Sequence, residues 1–244
     1  MLKLDEVYLG DCLDVMMRID DASIDMVLCD LPYGMTAFSW DSIIPLDRLW
    51  LAYNRIIKQN ASVVLTAIQP FSSLLVSTNW QRFRYALVWD KVLPTDFMHA
   101  KYRPMRQHED ILVFSLGRGT FNPQKTPRKK PRIYTRTPKS SITATGISGW
   151  HDGKSRILDS YSPRSIIRIS NADHTQKLHP TQKPVALFEY LIKTYTNEGG
   201  LVLDNACGSG TTGVACKNTG RHYILIDNDP KYVEISCQRL KQQS

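Results

Sequence analysis

Two kinds of apolar spacing alternate along the chain. SIDMVLCD (23–30), ASVVLTA (61–67), FRYALVWDK (83–91) and EDILVFS (109–115) are apolar runs of strand length that end on polar or turn residues. Between them, PLDRLWLAYNRIIK (45–58) and PFSSLLVSTN (70–79) carry helical spacing. Each opens on a proline, whose missing N–H costs nothing in a first turn. The pattern dissolves between Gly117 and about Asp173, where Pro, Ser, Thr, Gly, Lys and Arg dominate and no regular element is expected. It then resumes. KPVALFEYLIKTY places Phe188, Leu191, Ile192 and Tyr195 on one helical face, followed by the strand GLVLD, a glycine-rich turn, a helix through TTGVACKNTG, the strand HYILID and the helix PKYVEISCQRL. Continuously apolar strands separated by helices predict an α/β fold, a mostly parallel sheet covered by helices on both faces. Its two parts read as one split sheet, residues 1–120 and 175–244, around a loop-rich insert at 121–174.

The bulk numbers narrow the class. At 244 residues and 42% apolar content the chain can bury a full core, and no run of 18 apolar residues or charged-then-apolar leader is present. A soluble, cytoplasmic protein is expected, with no membrane partner. The five cysteines contain no C-x-x-C pair, which predicts reduced, mostly buried thiols. His174 and His179 are the nearest histidine pair, and no metal site is expected.

Charge changes the picture most. The net charge is +8, but between Phe121 and Leu178 twelve basic residues face only Asp152, Asp159 and Asp173, so that stretch carries +9 and the remainder −1. The insert therefore reads as either a linker or a segment that orders on a polyanion, with Lys125, Arg128, Lys129, Lys130, Arg132, Arg136, Lys154, Arg156, Arg164 and Arg168 placed to meet phosphates and Tyr134, Trp150 and Tyr161 to stack or wedge.

Two turns carry the candidate chemistry. LVLDNACGSGTTG (201–213) runs from a strand into a helix, with Gly208, Gly210 and Gly213 spaced G-x-G-x-x-G, where glycines let a ligand approach the backbone. Asp227 ends the next strand and can accept hydrogen bonds from both hydroxyls of a ribose. A dinucleotide would lay its pyrophosphate near Asp204, which repels it; a cationic ligand with a ribose, such as S-adenosylmethionine, suits both acids. In LCDLPYGMT (28–36), Asp30 and the main-chain carbonyl of Leu31 can accept both N–H bonds of a nucleobase amine and free its lone pair for attack. Pro32 stiffens the turn, and Tyr33 can stack on an extruded base.

Asp30-Leu31-Pro32-Tyr33 together with DNACGSGTT (204–212) resembles the DNA amino-methyltransferases, in the motif order of their circularly permuted β group. GDCLDVM (10–16), with Asp11, resembles the family's segment against the cofactor adenine. HPTQKP (179–184) resembles the segment bordering the methionine end, with Thr181 and Lys183 as contacts. The resemblance covers nearly all of the chain outside the insert. It implies a Rossmann-like methyltransferase sheet and S-adenosyl-L-methionine as cofactor, held by Asp11, Asp30, Thr181, Lys183, Asp204, Ala206, Cys207, Gly208, Gly210, Thr211 and Asp227. It also implies catalysis at Asp30, Leu31, Pro32 and Tyr33, double-stranded DNA as substrate, target recognition by the insert, and a homodimer, on which the residues themselves are silent. The resemblance further implies adenine N6 over cytosine N4, because members with aspartate in the first motif position mostly modify adenine. Leu31 replaces the usual first proline, and Asn205-Ala206 stand where Pro-Phe is usual, which predicts a weaker hold on the cofactor. A nicotinamide-dependent oxidoreductase and a non-catalytic nucleic-acid binder remain as alternatives; the first accounts for neither the Asp30 turn nor the insert, and an intact Asp30 and Tyr33 stand against the second.

Overall fold

A computed structural model describes residues 2–35, 42–135, 155–172 and 182–242. The chain divides into two compact units, residues 1–122 with 165–244, and residues 123–164. The large unit runs β1 (Glu6–Leu9), α1 (Cys12–Met16), β2 (Ile24–Cys29), α2 (Leu46–Ile56), β3 (Ile57–Ala67), α3 (Phe71–Thr78), β4 (Phe83–Thr95) and β5 (Arg106–Ser115). The small unit holds β6 (Thr126–Thr135) and β7 (Ser155–Tyr161). The chain then returns to the large unit with β8 (Ile166–Arg168), α4 (Val185–Tyr195), β9 (Leu201–Asp204), α5 (Thr211–Thr219), β10 (His222–Asp227) and α6 (Pro230–Lys241).

Eight strands form one sheet in the order β1-β10-β9-β2-β3-β5-β4-β8. The pairings from β1 to β3 are parallel, β5 lies antiparallel between β3 and β4, and β8 is parallel to β4. β9 lies between β10 and β2, so the C-terminal part of the chain completes the sheet begun by the N-terminal part. Alternation along the strands sends residues to opposite faces. Val27, Cys29, Val63, Leu65, Leu203 and Ile224 join one core with α1, α2 and α3. Met26, Leu28, Val64, Val202 and Leu225 join a second core with α4 and α5. The sheet is doubly wound, as the apolar runs imply.

Local sequence sets the helix starts. Pro45, Pro70 and Pro184 sit at the N-cap, one residue ahead of α2, α3 and α4. Asp11 caps α1 by accepting the Leu13 N–H at 2.8 Å, and Asp229 caps α6 through Lys231 N–H.

The stretch from Gly117 to Asp173 corrects the expectation of no regular element. β6 and β7 pair antiparallel from Thr126↔Tyr161 to Thr135↔Ser155, with a register shift between Pro127 and Arg132. A polar ladder of this kind is held by backbone hydrogen bonds, which composition does not report, and a two-stranded ribbon is all edge, so it tolerates its prolines. β8 is three residues long, too short for periodicity to reveal, and only Ile167 of its residues is buried. No helix among the described residues is long and apolar enough to cross a membrane, and no group of three metal-ligating side chains stands together among them.

The third glycine of the G-x-G-x-x-G turn serves packing rather than a ligand. A Cβ on Gly213 would lie 2.8 Å from Leu225 Cδ1 and 2.9 Å from Leu240 Cδ2, so α5 packs against β10 and α6 at this point. Gly213→Ala should lower the unfolding free energy by about 1–2 kcal/mol, overpacking outweighing the gain in helix propensity. Urea denaturation measures it, and an unchanged or raised midpoint contradicts the packing role.

Candidate active site

The carboxyl ends of the parallel strands bring the predicted acids together. Asp204 ends β9, Asp30 follows β2, and Asp227 ends β10, on three adjacent strands. A cavity of about 630 Å³ opens there, lined by Asp11, Asp30, Tyr33, Lys183, Asp204 and Asp227 among others. That is the size range of a small-molecule site.

Asp30 is held from three directions. Its Oδ1 accepts the Tyr33 hydroxyl at 2.5 Å and the Thr66 hydroxyl at 2.5 Å, and its Oδ2 accepts Lys183 Nζ at 2.6 Å. Lys183 Nζ also lies 3.3 Å from Glu109 Oε2, and Glu109 Oε1 lies 3.3 Å from Lys91 Nζ. Lys91 in turn donates to Thr95 at 2.8 Å. Four charges of alternating sign thus run Asp30, Lys183, Glu109, Lys91, with side chains only 21%, 8%, 14% and 3% exposed. Burial opposes the charge on Lys183, but Asp30, Tyr33 and Glu109 outweigh it and hold its pKa well above the usual lysine value. Against the cost of burial, Lys183 and Lys91 keep Glu109 below the usual glutamate range. Burial lowers the Lys91 pKa, which Glu109 only partly offsets. Glu109 Oε2 meets Lys183 as an ionic contact without a well-aligned hydrogen bond. Among the described residues no donor reaches the Leu31 carbonyl.

Tyr33 packs its ring on Phe71, with centroids 5.3 Å apart, and burial raises its pKa well above the usual tyrosine value. Thr66, Lys91 and Glu109 escaped the sequence reading. Their signal is a lysine and a glutamate inside otherwise apolar strands, which only cross-strand pairing explains.

The glycine turn is built around the other acids. Gly208 and Gly210 have φ of 51° and 73°, in the left-handed region that favours glycine. Asp204 is buried, accepting Ala206 N–H at 3.2 Å and the Thr212 hydroxyl in a short bond. Burial, opposed by those bonds, raises its pKa from 3.8 to about 6. Asp227 accepts Gly208 N–H at 2.8 Å and Asp229 N–H at 3.0 Å, and burial raises its pKa too. Gly10 N–H bonds the Asp227 carbonyl at 3.0 Å, which sets Asp11 beside the turn. Cys207 is buried, and the Thr211 hydroxyl accepts from Arg239 at 3.2 Å. The Asn205 side-chain Nδ2 meets no acceptor among the described residues, while its Oδ1 takes the Tyr53 hydroxyl at 2.5 Å. Ala206 lines the cavity and is half-buried. Three carboxylates at one end of a nucleotide-sized cavity fit a cation bearing hydroxyls better than an anion.

The basic positions are spread over both units. In the small unit Lys125, Lys129, Lys130, Arg132 and Arg164 are exposed, and Arg128 lies 3.9 Å over the Tyr161 ring while donating to the Ser160 carbonyl. Arg168 belongs to β8 in the large unit, 3.7 Å from Asp90. Arg136, Trp150, Lys154 and Thr181 lie outside the described residues, as do His174, His179 and the Arg156 side chain.

A doubly wound sheet with an acid-lined cavity at its carboxyl edge defines a nucleotide-cofactor enzyme. The chain belongs to the N6/N4 DNA methylase family, whose sequence profile matches residues 24–238. It is 24% identical over 244 residues to the type II methyltransferase M.HpaI of Haemophilus parainfluenzae, covering 96% of this chain and 73% of the relative. Its fold matches the M1.HpyAVI–SAM complex with a TM-score of 0.64 at 22% identity, covering 96% and 99% of the two chains. It matches the PvuII DNA methyltransferase, described as cytosine-N4-specific, with a TM-score of 0.65 at 19% identity, covering 96% and 85%.

Asp204 makes stability fall with pH. Its folded-state pKa of about 6 lies above the ordinary 3.8, so the folded protein holds the extra proton between those values. Stability should therefore decline as pH rises from about 4 to about 6, by on the order of 2–3 kcal/mol. Asp204→Asn should flatten that segment of the unfolding profile. A variant with the wild-type slope would remove Asp204 as its source.

Proposed function

We propose that this protein transfers a methyl group from S-adenosylmethionine to the N6 amine of an adenine turned out of double-stranded DNA. The observation that carries the reading is Asp30, fixed on the Pro32 turn beside Tyr33 with the Leu31 carbonyl open, at the edge of the acid-lined cavity. When bound, the cofactor supplies an electrophilic methyl group on a sulfonium. Asp227 would accept its ribose hydroxyls while keeping the Gly208 N–H, Asp11 would meet its adenine, and Asp204 would favour its cationic end. Ala206, Cys207, Gly208, Gly210 and Thr211 form the turn against which it would lie.

Asp30 and the Leu31 carbonyl accept the two N–H bonds of the target amine. Because Asp30 Oδ1 already takes two hydroxyls, the amine either joins Oδ2 beside Lys183 or displaces the Tyr33 hydroxyl, which releases the ring to stack on the base. Lys183 is a positioning residue here: its ammonium is spent on Asp30 and Glu109 and so is kept from opposing the cationic cofactor. The basic ribbon of the small unit takes DNA phosphates and contributes target recognition, and two copies of the chain act together as a dimer. The preference for adenine rests on aspartate in the first motif position. The fold likeness to a cytosine-N4-specific enzyme makes N4 the second reading, since the same two acceptors suit that amine.

Incubating bacterial DNA with tritiated S-adenosylmethionine and resolving the nucleosides by mass spectrometry tests this. Label is expected in N6-methyladenine, and Asp30→Ala should reduce it by about 100-fold or more while the donor still binds. Label in N4-methylcytosine would replace the base; no label, with donor bound, would end the DNA reading.

A further inference from the structure

The rim of the cavity carries an apolar tip that the proposed base and cofactor contacts leave unused. The pairing of β4 with β5 is interrupted between Asp90 and Thr95, and the chain then turns at Asp96, whose φ is 72°. A single 3-10 turn follows at Phe97–His99 before the chain reaches Arg106. Phe97, Met98 and Tyr102 are 71%, 74% and 86% exposed, three large apolar side chains within six residues. Apolar side chains clustered this openly mark an interaction surface.

The loop is built rather than loose. The Asp96 carboxylate accepts from His99 Nδ1 at 2.5 Å and Arg103 at 2.7 Å and lies 3.8 Å from Arg106. Backbone bonds from Tyr102 and Arg103 N–H to the His99 carbonyl, at 2.8 and 3.0 Å, close the turn. Thr95, Asp96, His99, Arg103 and Arg106 line the cavity that holds Asp30. Between residues 93 and 106 the chain carries Lys101, Arg103 and Arg106 against the single acid Asp96.

We propose that Phe97, Met98 and Tyr102 form a wedge that enters the DNA duplex beside the target base and fills the space it leaves, with Lys101 on a flanking phosphate. This rests on the DNA methylase reading. A base leaving the stack loses stacking on both faces, and apolar or aromatic side chains inserted at that step replace part of it. The charge of the loop suits a polyanion, and its position at the mouth of the base cavity sets it beside the flipped nucleotide.

The test uses oligonucleotide duplexes carrying the sequence that the wild-type protein methylates in bacterial DNA, made fully paired or with an abasic site opposite the target. In a Phe97→Ser, Met98→Ser, Tyr102→Ser variant, single-turnover transfer to the paired duplex should fall about tenfold or more, and the abasic partner, which makes extrusion easy, should restore it to within about threefold of wild type. An unchanged rate on paired DNA overturns the wedge, as does an equal loss on both duplexes. A loss accompanied by conversion of a dimer to monomers in sedimentation would assign the tip to a second copy instead. If the wild-type protein labels no DNA, the proposed function fails and the wedge with it; a labelling wild type and an indifferent variant overturn the wedge alone.

Discussion

The ion pair between Lys183 and Asp30 is the constraint on which the site depends. It joins side chains 153 residues apart in sequence, with 2.6 Å between Nζ and Oδ2. Removing either ion from water costs several kcal/mol, and the pairing offsets part of that cost. The same logic extends outward: Lys183 has a second carboxylate in Glu109, and Glu109 a second ammonium in Lys91. The four charges sum to zero, and each one's position is conditional on its neighbours. Asp30 consequently reaches the cavity with its direction already fixed.

The sheet order makes this pairing available. β2 and β9 are neighbours, although Asp30 comes early in the chain and Asp204 late, so the base-binding turn and the glycine turn stand at adjacent strand ends. Lys183 stands two residues ahead of α4, a helix of the second core, and its ammonium reaches Asp30. Cofactor and target amine can then be aligned by rigid elements, which is where a direct transfer between two bound groups gains most of its rate. Membership in the DNA methylase family agrees with that arrangement.

Much of this was legible in the residues. Continuous apolar runs such as SIDMVLCD and HYILID mark strands buried on both faces, and each corresponds to a strand of the large sheet, β2 and β10. The prolines before α2 and α3 mark helix starts to within a residue. What escaped is what depends on pairing. β1, β6, β7 and β8 are short or polar, and their stability comes from partner strands rather than from their own pattern. Asp30, Tyr33, Asp204 and Asp227 stand out because turns and strand ends announce them. Thr66, Lys91 and Glu109 do not, because their role is a contact between strands, Thr66 of β3 with Asp30 after β2 and Lys91 of β4 with Glu109 of β5. Gly213 shows the opposite failure, a motif glycine whose neighbours are leucines.

Single-turnover methyl transfer by a Lys183→Met variant, measured beside its affinity for S-adenosylmethionine, tests most directly the proposal that Asp30 is an acceptor held in place by Lys183. Transfer should slow by about 100-fold, the scale of a lost preorganised contact, while donor affinity changes only a few-fold. A variant that transfers methyl groups at the wild-type rate, or one that loses donor binding and rate together, would contradict the claim; the second result would make Lys183 a ligand of the cofactor.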